Sequence, residues 1–208
     1  MEVFRYLTKE EAQHKAVEAL NILFREIRGP LLFLSSGGSS LELLNGLLIG
    51  DHMTISVLDE RYGNDLTINN FSKLMTHVRG AKFIDTRVKE GESLQELAQR
   101  FEKELREWKN ANPSGTIVIT QGIGSDGHTA GIMPYPENPE LFKKLFDTPD
   151  HWVTGYPLRV TVTLSFLRHI VDYSLVYLLG EQKRKALRKV LAPQGTLWET
   201  PGRIIQEM

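Results

Sequence analysis

The sequence predicts an α/β fold, a single domain over residues 1–208 in which a mostly parallel sheet lies between two layers of helices. Short apolar runs alternate along the chain with amphipathic stretches of helical period. Several of these runs end in glycine-rich or charged turns, as parallel strands do where they carry a site. With 208 residues and 41% hydrophobic content, the chain can bury one core of this size. The pattern is therefore typical of a three-layer αβα, Rossmann-like domain.

The first half of the chain supplies one helix and three strands. Thr8 and Glu11 form a capping box before an apolar helical stripe. Residues 31–34 and 55–58 are apolar runs of strand length, and residues 81–85 are a third candidate strand.

The second half continues the alternation. Ser93 and Glu96 repeat the capping box at the start of a helix that ends near Pro113. Three strands are predicted after it, with a short helix between the second and the third, at residues 116–120, 160–163 and 173–179. A basic amphipathic helix follows at 181–191, a short final strand is suggested at 203–205, and residues 134–157 are expected to be a long irregular loop.

Composition narrows the class of partner. The formal net charge of -1 does not favour binding to nucleic acid or to an anionic membrane, so we expect a small-molecule partner. The chain has no cysteine for a disulfide, a thiolate nucleophile or a metal ligand. It shows neither a leader pattern nor an apolar run of membrane-spanning length, so we expect a cytoplasmic enzyme or binding protein.

The first candidate site follows the strand at 31–34. Ser36, Gly37, Gly38 and Ser39 precede a helix expected to begin near Leu41. Backbone N–H groups at a helix start favour an anion, and glycines let phosphate oxygens approach. A plain turn with a serine cap explains the same residues equally well. No lysine follows the glycines, which argues against ATP and dinucleotide binding.

A charged turn follows the strand at 55–58. Asp59, Glu60 and Arg61 are placed to meet a polar ligand at the carboxyl edge of the sheet. A solvated turn with a local ion pair is the competing interpretation.

The segment after the strand at 116–120 carries the main chemical candidate. Residues 122–131 are rich in glycine and contain Asp126, Gly127 and His128. Histidine titrates near neutrality and can move protons, and this composition is poor for a helix core. Asp126 is equally explained as a turn or cap residue.

Two cations complete the candidates. Lys183 lies in the first turn of the helix at 181–191, where it can reach the ligand crevice, and Arg159 precedes the strand at 160–163.

Taken in order, these motifs resemble those of the 6-phosphogluconolactonase family and its glucosamine-6-phosphate deaminase relatives. The resemblance covers about residues 31–191 and rests on five motifs: Ser-Gly-Gly-Ser-Ser at 36–40, Asp-Glu-Arg at 59–61 with Asn70, Gly-Ile-Gly-Ser-Asp-Gly-His-Thr-Ala at 122–130, Arg-Val-Thr-Val-Thr at 159–163, and Gly-x-x-Lys at 180–183. The chain departs from the family pattern at Ser40, Leu41, Gly131 and Met133.

The resemblance implies hydrolysis of a phosphosugar δ-lactone without metal or organic cofactor, by a monomer or a homodimer. His128 would be the general base, Asp126 would orient the loop or His128, and Arg61 or the glycine-rich backbone would meet the oxyanion. The phosphate would bind at residues 37–39 with Lys183 and Arg159. The remaining substrate contacts would come from Ser36, Asp59, Glu60 and Gly127.

Two other functions are carried forward. The deaminase branch has a carboxylate after its histidine, whereas residues 129–134 have none, and its Asp-Glu-Tyr/Phe is Asp-Glu-Arg here. A non-catalytic sugar-phosphate-binding protein would keep the phosphate loop but would not require His128.

Overall fold

The computed structural model describes residues 2–208. It contains six α-helices: α1 (Lys9–Glu26), α2 (Asn70–His77), α3 (Leu94–Ala111), α4 (Pro139–Phe146), α5 (Leu164–His169) and α6 (Arg184–Leu191). Its eight strands are β1 (Leu31–Ser35), β2 (Met53–Val57), β3 (Asp59–Arg61), β4 (Lys82–Phe83), β5 (Thr116–Gln121), β6 (Val153–Gly155), β7 (Arg159–Val162) and β8 (Tyr173–Val176). Three 3-10 helices cover Gly38–Gly46, Glu181–Lys183 and Pro201–Gln206.

The central sheet has five strands in the order β4-β2-β1-β5-β8, and every pair in it is parallel. In register, Phe33 of β1 lies between Ile55 of β2 and Val118 of β5. All the carboxyl ends of these strands therefore point to one edge, which confirms the predicted parallel sheet.

Both faces of the sheet are covered, and this explains why its strands read as unbroken apolar runs. Side chains alternate across a strand, so Leu31 and Phe33 join one cluster while Leu32 and Leu34 join the other. Helices α1 and α2 cover the first face, whereas α3, α4, α5 and α6 contribute to the cluster on the second. The αβα layering of the prediction is confirmed.

A second, smaller sheet was not predicted. It is antiparallel, has the order β3-β7-β6, and pairs Arg61 with Arg159. Leu58 joins the two sheets: its N–H donates to Ser35 O of β1, and its carbonyl accepts from Val162 N of β7, at 3.0 Å each.

Local capping chemistry sets several helix starts. Thr8 caps α1 by accepting from Glu11 N, which is one half of the predicted capping box, whereas Ser93 with Glu96 forms the complete capping box predicted on α3. Helix α2 was not predicted, and Asn69 caps it by accepting from Ser72 N at 2.7 Å.

Four expectations about individual segments are wrong. Residues 134–157 contain α4, begun by Asn138 and Pro139, and strand β6 rather than only irregular chain. Residues 203–205 belong to a 3-10 helix, because Pro201 favours a helical start and Ile204 and Ile205 pack into the core. The last strand of the central sheet ends at Val176 rather than at residue 179. The element after Gly37 is a 3-10 helix beginning at Gly38, three residues before the expected start.

No helix within residues 2–208 has both the length and the apolarity needed to cross a bilayer.

Candidate active site

The glycine-rich loop after β1 divides into an inward and an outward half. Ser36 is buried; its Oγ donates to Thr120 O at 2.7 Å and accepts from Gly122 N at 3.1 Å, so it ties the ends of β1 and β5 together. Gly38 is exposed with φ of +65°, a conformation that favours glycine. Gly37, Gly38 and Ser39 therefore form the part of the loop that is open to a ligand, while Ser36 supports it from below.

Asp59, at the start of β3, is a buried carboxylate next to several cations. Its Oδ2 lies 3.4 Å from Arg159 Nη1 and 3.4 Å from Asn70 Nδ2. Burial raises the pKa of Asp59, and the nearby charges of Arg159, Arg61 and His128 oppose that rise. The carboxylate thus fixes Arg159 in place and lies within electrostatic range of His128.

Glu60 points the other way, into the protein. Its carboxylate accepts hydrogen bonds from Asn70 N at 2.6 Å, Phe71 N at 2.8 Å, Arg61 N at 2.8 Å and Thr86 Oγ1 at 2.9 Å. Two of these donors are the first backbone N–H groups of α2, where a negative charge is favourable. The structure therefore places Glu60 under the site as a support for α2 and not on the open surface.

Asn70 connects three of the motifs, although it was not among the predicted site residues. Its side chain donates to Asp59 O at 2.9 Å and accepts from Arg61 Nη1 at 2.9 Å. A Cβ on Gly37 would lie only 2.7 Å from the Asn70 amide, so the glycine-rich loop needs glycine there to pack against it. The available signal in the sequence was the match of Asn70, together with Asp-Glu-Arg at 59–61, to the family motif.

His128 and Asp126 form a pair at the end of β5. His128 Nδ1 lies 2.7 Å from Asp126 Oδ1, and the same oxygen accepts from the backbone N of His128 at 3.1 Å. Partial burial works against the charge of Asp126, but the His128 backbone and ring outweigh it, so the pKa of Asp126 lies below its usual value. A carboxylate that stays ionised can only accept, so Nδ1 carries a proton and, in the neutral form of the ring, the lone pair is on Nε2.

Two glycines next to His128, Gly124 and Gly127, have a defined steric reason. A Cβ on Gly124 would overlap the His128 ring. Gly127 adopts φ of +96°, and its carbonyl accepts from Gly202 N at 2.9 Å, which anchors the turn on the C-terminal segment. Its own N–H donates to Gly124 O, so Gly127 shapes the turn and does not offer a free donor.

Gly131 brings the histidine loop against the small sheet. Its N–H donates to Thr161 Oγ1 at 2.9 Å, and a Cβ there would lie 2.8 Å from Thr161 Cβ and 3.3 Å from Asp59 Cβ. The departure from the family pattern at this position therefore coincides with a close approach of the loop backbone to the side chains of Thr161 and Asp59.

Lys183 lies on the other flank, after β8. It is half-buried, and burial alone lowers its pKa, since no anionic group of residues 2–208 contacts it. Strand β5 separates β8 from β1, which sets the ends of those two strands about 10 Å apart at the same edge. Lys183 is thus a half-buried cation with no anion in contact, on the segment that follows the strand two places from β1.

The structure brings Asp59, Arg61, Arg159 and His128 together beside the Gly37–Ser39 loop, with Lys183 at the far side. The three cations Arg61, Arg159 and Lys183 outnumber the two carboxylates, Asp59 and Asp126, so the site favours an anionic ligand. Among the described residues, no three His, Cys, Asp or Glu side chains are grouped to hold a metal ion.

Comparison with known proteins agrees with these motifs. A 6-phosphogluconolactonase from Nostoc sp. is 30% identical over 113 residues, which cover 52% of this chain and 45% of the relative. A 6-phosphogluconolactonase from Synechocystis sp. is 29% identical over 114 residues, which cover 52% of this chain and 45% of that relative. The match therefore spans about half the length of these curated relatives.

Solved structures extend the likeness to the whole fold. A 6-phosphogluconolactonase from Shewanella baltica superposes with a TM-score of 0.75 at 22% identity, covering 98% of this chain and 91% of that one. One from Thermotoga maritima gives 0.71 at 20% identity, with 96% and 92% covered. The family model described as glucosamine-6-phosphate isomerases/6-phosphogluconolactonase matches residues 8–208. The chain belongs to the glucosamine-6-phosphate isomerase/6-phosphogluconolactonase family.

Proposed function

We propose that this protein hydrolyses 6-phospho-D-glucono-1,5-lactone to 6-phosphogluconate, a step of the oxidative pentose phosphate pathway, with His128 as the general base. The observation that carries the proposal is the His128–Asp126 pair, in which Nδ1 is occupied and Nε2 is left free next to a cluster of cations. The curated relatives that the chain matches carry the same activity in their names.

The hydrolysis needs one base that later acts as an acid. His128 Nε2 takes a proton from water as the water oxygen attacks the lactone carbonyl carbon. The tetrahedral intermediate then collapses, the bond from that carbon to the ring oxygen breaks, and Nε2–H returns the proton to the ring oxygen. Catalysis of this kind contributes roughly a hundred- to ten-thousand-fold.

The anionic parts of the substrate are matched to the cations of the site. The phosphate binds at the open backbone of Gly37, Gly38 and Ser39, and Lys183 supplies a charge-assisted contact. Arg61 and Arg159 lie side by side across β3 and β7, near the carboxyl group of Asp59. Arg61 stabilises the oxyanion, while Asp59 keeps Arg159 oriented.

The sequence around His128 favours hydrolysis over deamination. Residues 129–134 carry no carboxylate, and the packing of Gly131 against Thr161 leaves no space for a side chain at that position. The carboxylate within range of His128, besides Asp126, is Asp59, which is already paired with Arg159.

The test is a lactone-disappearance assay on freshly generated substrate, corrected for spontaneous hydrolysis. The purified protein should accelerate the reaction, and His128→Ala should lose at least a hundredfold in kcat while retaining binding of 6-phosphogluconate. His169→Ala is the matched control, because His169 is exposed at the end of α5 and outside the site.

Three outcomes would refute parts of the proposal. An unchanged rate in His128→Ala would remove the base assignment. Release of ammonia from glucosamine 6-phosphate without lactone turnover would assign the chain to the deaminase branch. Tight binding of 6-phosphogluconate with no turnover of either substrate would identify a binding protein.

A cytoplasmic location, one domain over residues 1–208 and a monomeric or homodimeric state stay predictions of the sequence.

A further inference from the structure

A cleft of about 700 Å³ opens at the end of the central sheet opposite His128. It lies between the C-terminal turn of α1 and the segment 47–52 that leads into β2. His52 O accepts from Leu31 N at 3.1 Å, which places the segment at the amino end of β1. The five residues of β1 separate this end from the phosphate loop by about 16 Å. The cleft is thus a separate cavity from the active site.

The floor of the cleft is apolar. Phe24, Ile27 and Ile49 line it, and Leu48 at its edge leaves 55% of its surface exposed. Asn21 holds this edge in place, since its side chain donates to Gly46 O at 2.9 Å and accepts from Leu48 N at 2.8 Å. These two hydrogen bonds therefore fix the backbone that carries the apolar surface.

The rim of the cleft is cationic. Its charge comes from Arg25 and Arg28, which are exposed and line it beside the exposed ring of His52. Neither arginine has a carboxylate within 4.0 Å among residues 2–208, although many other surface arginines of the chain, such as Arg87 and Arg168, are paired. The adjacent acids in sequence, Glu26 and Asp51, do not line the cleft.

We propose that this cleft binds a small organic anion with an apolar body. The charged group, a phosphate, sulfonate or carboxylate, lies against Arg25 and Arg28, and a ring or short chain covers Phe24, Ile27 and Leu48. The volume is that of an ordinary small-molecule site, in which apolar walls carry a few placed polar groups. The inference does not depend on the proposed lactone chemistry, because none of these residues belongs to the active site.

The test uses a charged fluorescent probe and its uncharged analogue. The probe 8-anilinonaphthalene-1-sulfonate should bind the wild-type protein at one site, and N-phenyl-1-naphthylamine should bind there more weakly. In Arg25→Gln/Arg28→Gln the dissociation constant of the sulfonate should rise about five- to tenfold, with no change for the amine. Leu48→Ser should weaken both probes.

The control is a matched pair of cations elsewhere on the surface. Arg79→Gln/Lys82→Gln removes two exposed, unpaired charges three positions apart, as at 25 and 28, and should leave both probes unaffected. Saturating 6-phosphogluconate should not displace the sulfonate. Thermal unfolding of each variant checks that it is folded.

Several results would overturn the proposal. Equal sulfonate affinity in wild type and Arg25→Gln/Arg28→Gln would show that the arginines do not bind the anion. An equal loss in the control pair would show an effect of overall charge only. Competitive displacement by 6-phosphogluconate would place the probe in the active site, and unchanged binding in Leu48→Ser would remove the apolar half of the site.

Discussion

Replacing Asp126 by asparagine separates the positioning of His128 from its acid–base chemistry. Asp126 Oδ1 accepts one bond from the His128 backbone and one from its ring. An amide oxygen can still accept these bonds, but it carries no charge to stabilise the imidazolium that forms during reaction. A hydrogen bond to a charged group contributes about 1.5–3 kcal/mol when buried. The side chains of His128 and Asp126 are 34% and 45% exposed, which reduces the expected loss to about 1–1.5 kcal/mol.

This loss corresponds to a fall of about five- to tenfold in kcat for Asp126→Asn. KM should stay constant, because Asp126 contacts His128 and not the phosphate loop. Initial rates of lactone hydrolysis at several substrate concentrations separate the two constants, and thermal unfolding should differ from wild type by less than about 3 °C. Asp150→Asn, the same change at an exposed aspartate, should leave both constants unchanged. An intact kcat in Asp126→Asn, or a raised KM with kcat intact, would refute the positioning role.

Three further predictions concern charge and packing at the site. Burial lowers the pKa of Lys183 from its ordinary 10.5, whereas a bound phosphate favours the charged form of the lysine. The affinity for 6-phosphogluconate, measured by calorimetry, should therefore fall as the pH rises through the lowered pKa. In the same assay Lys183→Met should bind about tenfold more weakly at neutral pH, and its affinity should not depend on alkaline pH. Gly131→Ser should lower the free energy of unfolding in urea by about 1–3 kcal/mol, because the added Cβ would collide with Thr161. A Gly131→Ser variant as stable as the wild type would contradict the close contact between residues 131 and 161. Glu60→Gln should lower the free energy of unfolding by about 2–4 kcal/mol, since the new amide nitrogen would face backbone donors. The same change at the exposed Glu90 should have no measurable effect on stability. Equal stability of the two variants would contradict the supporting role of Glu60.

The parallel sheet and the motif loops could be predicted because their signals are local. Residues 31–35 and 116–121 are buried on both faces, so each appears in the sequence as an apolar run. Thr8 and Ser93 cap their helices with donors only three residues away. Such signals can be recognised in the sequence without any knowledge of tertiary contacts.

The small antiparallel sheet could not be predicted in the same way. Strand β3 consists of three charged residues, which is typical of a turn, and its partner β7 begins 100 residues after Asp59. The inward orientation of Glu60 depends on donors 10 to 26 positions away, so the sequence alone placed it among the substrate contacts. In both cases the deciding contacts are distant in the chain.

Leu58, where the two sheets meet, is also where one side of the candidate site is attached to the main sheet. The small sheet, which carries Asp59, Arg61 and Arg159, is joined to the main sheet through the two backbone hydrogen bonds of Leu58. Its outer hairpin turns at residues 156–158, where Leu158 is largely exposed. Insertions at such a solvent-facing tip are tolerated because they disturb little buried backbone. A change of length at this hairpin would therefore alter the side of the site that carries Arg159 without disturbing the histidine loop or the parallel core.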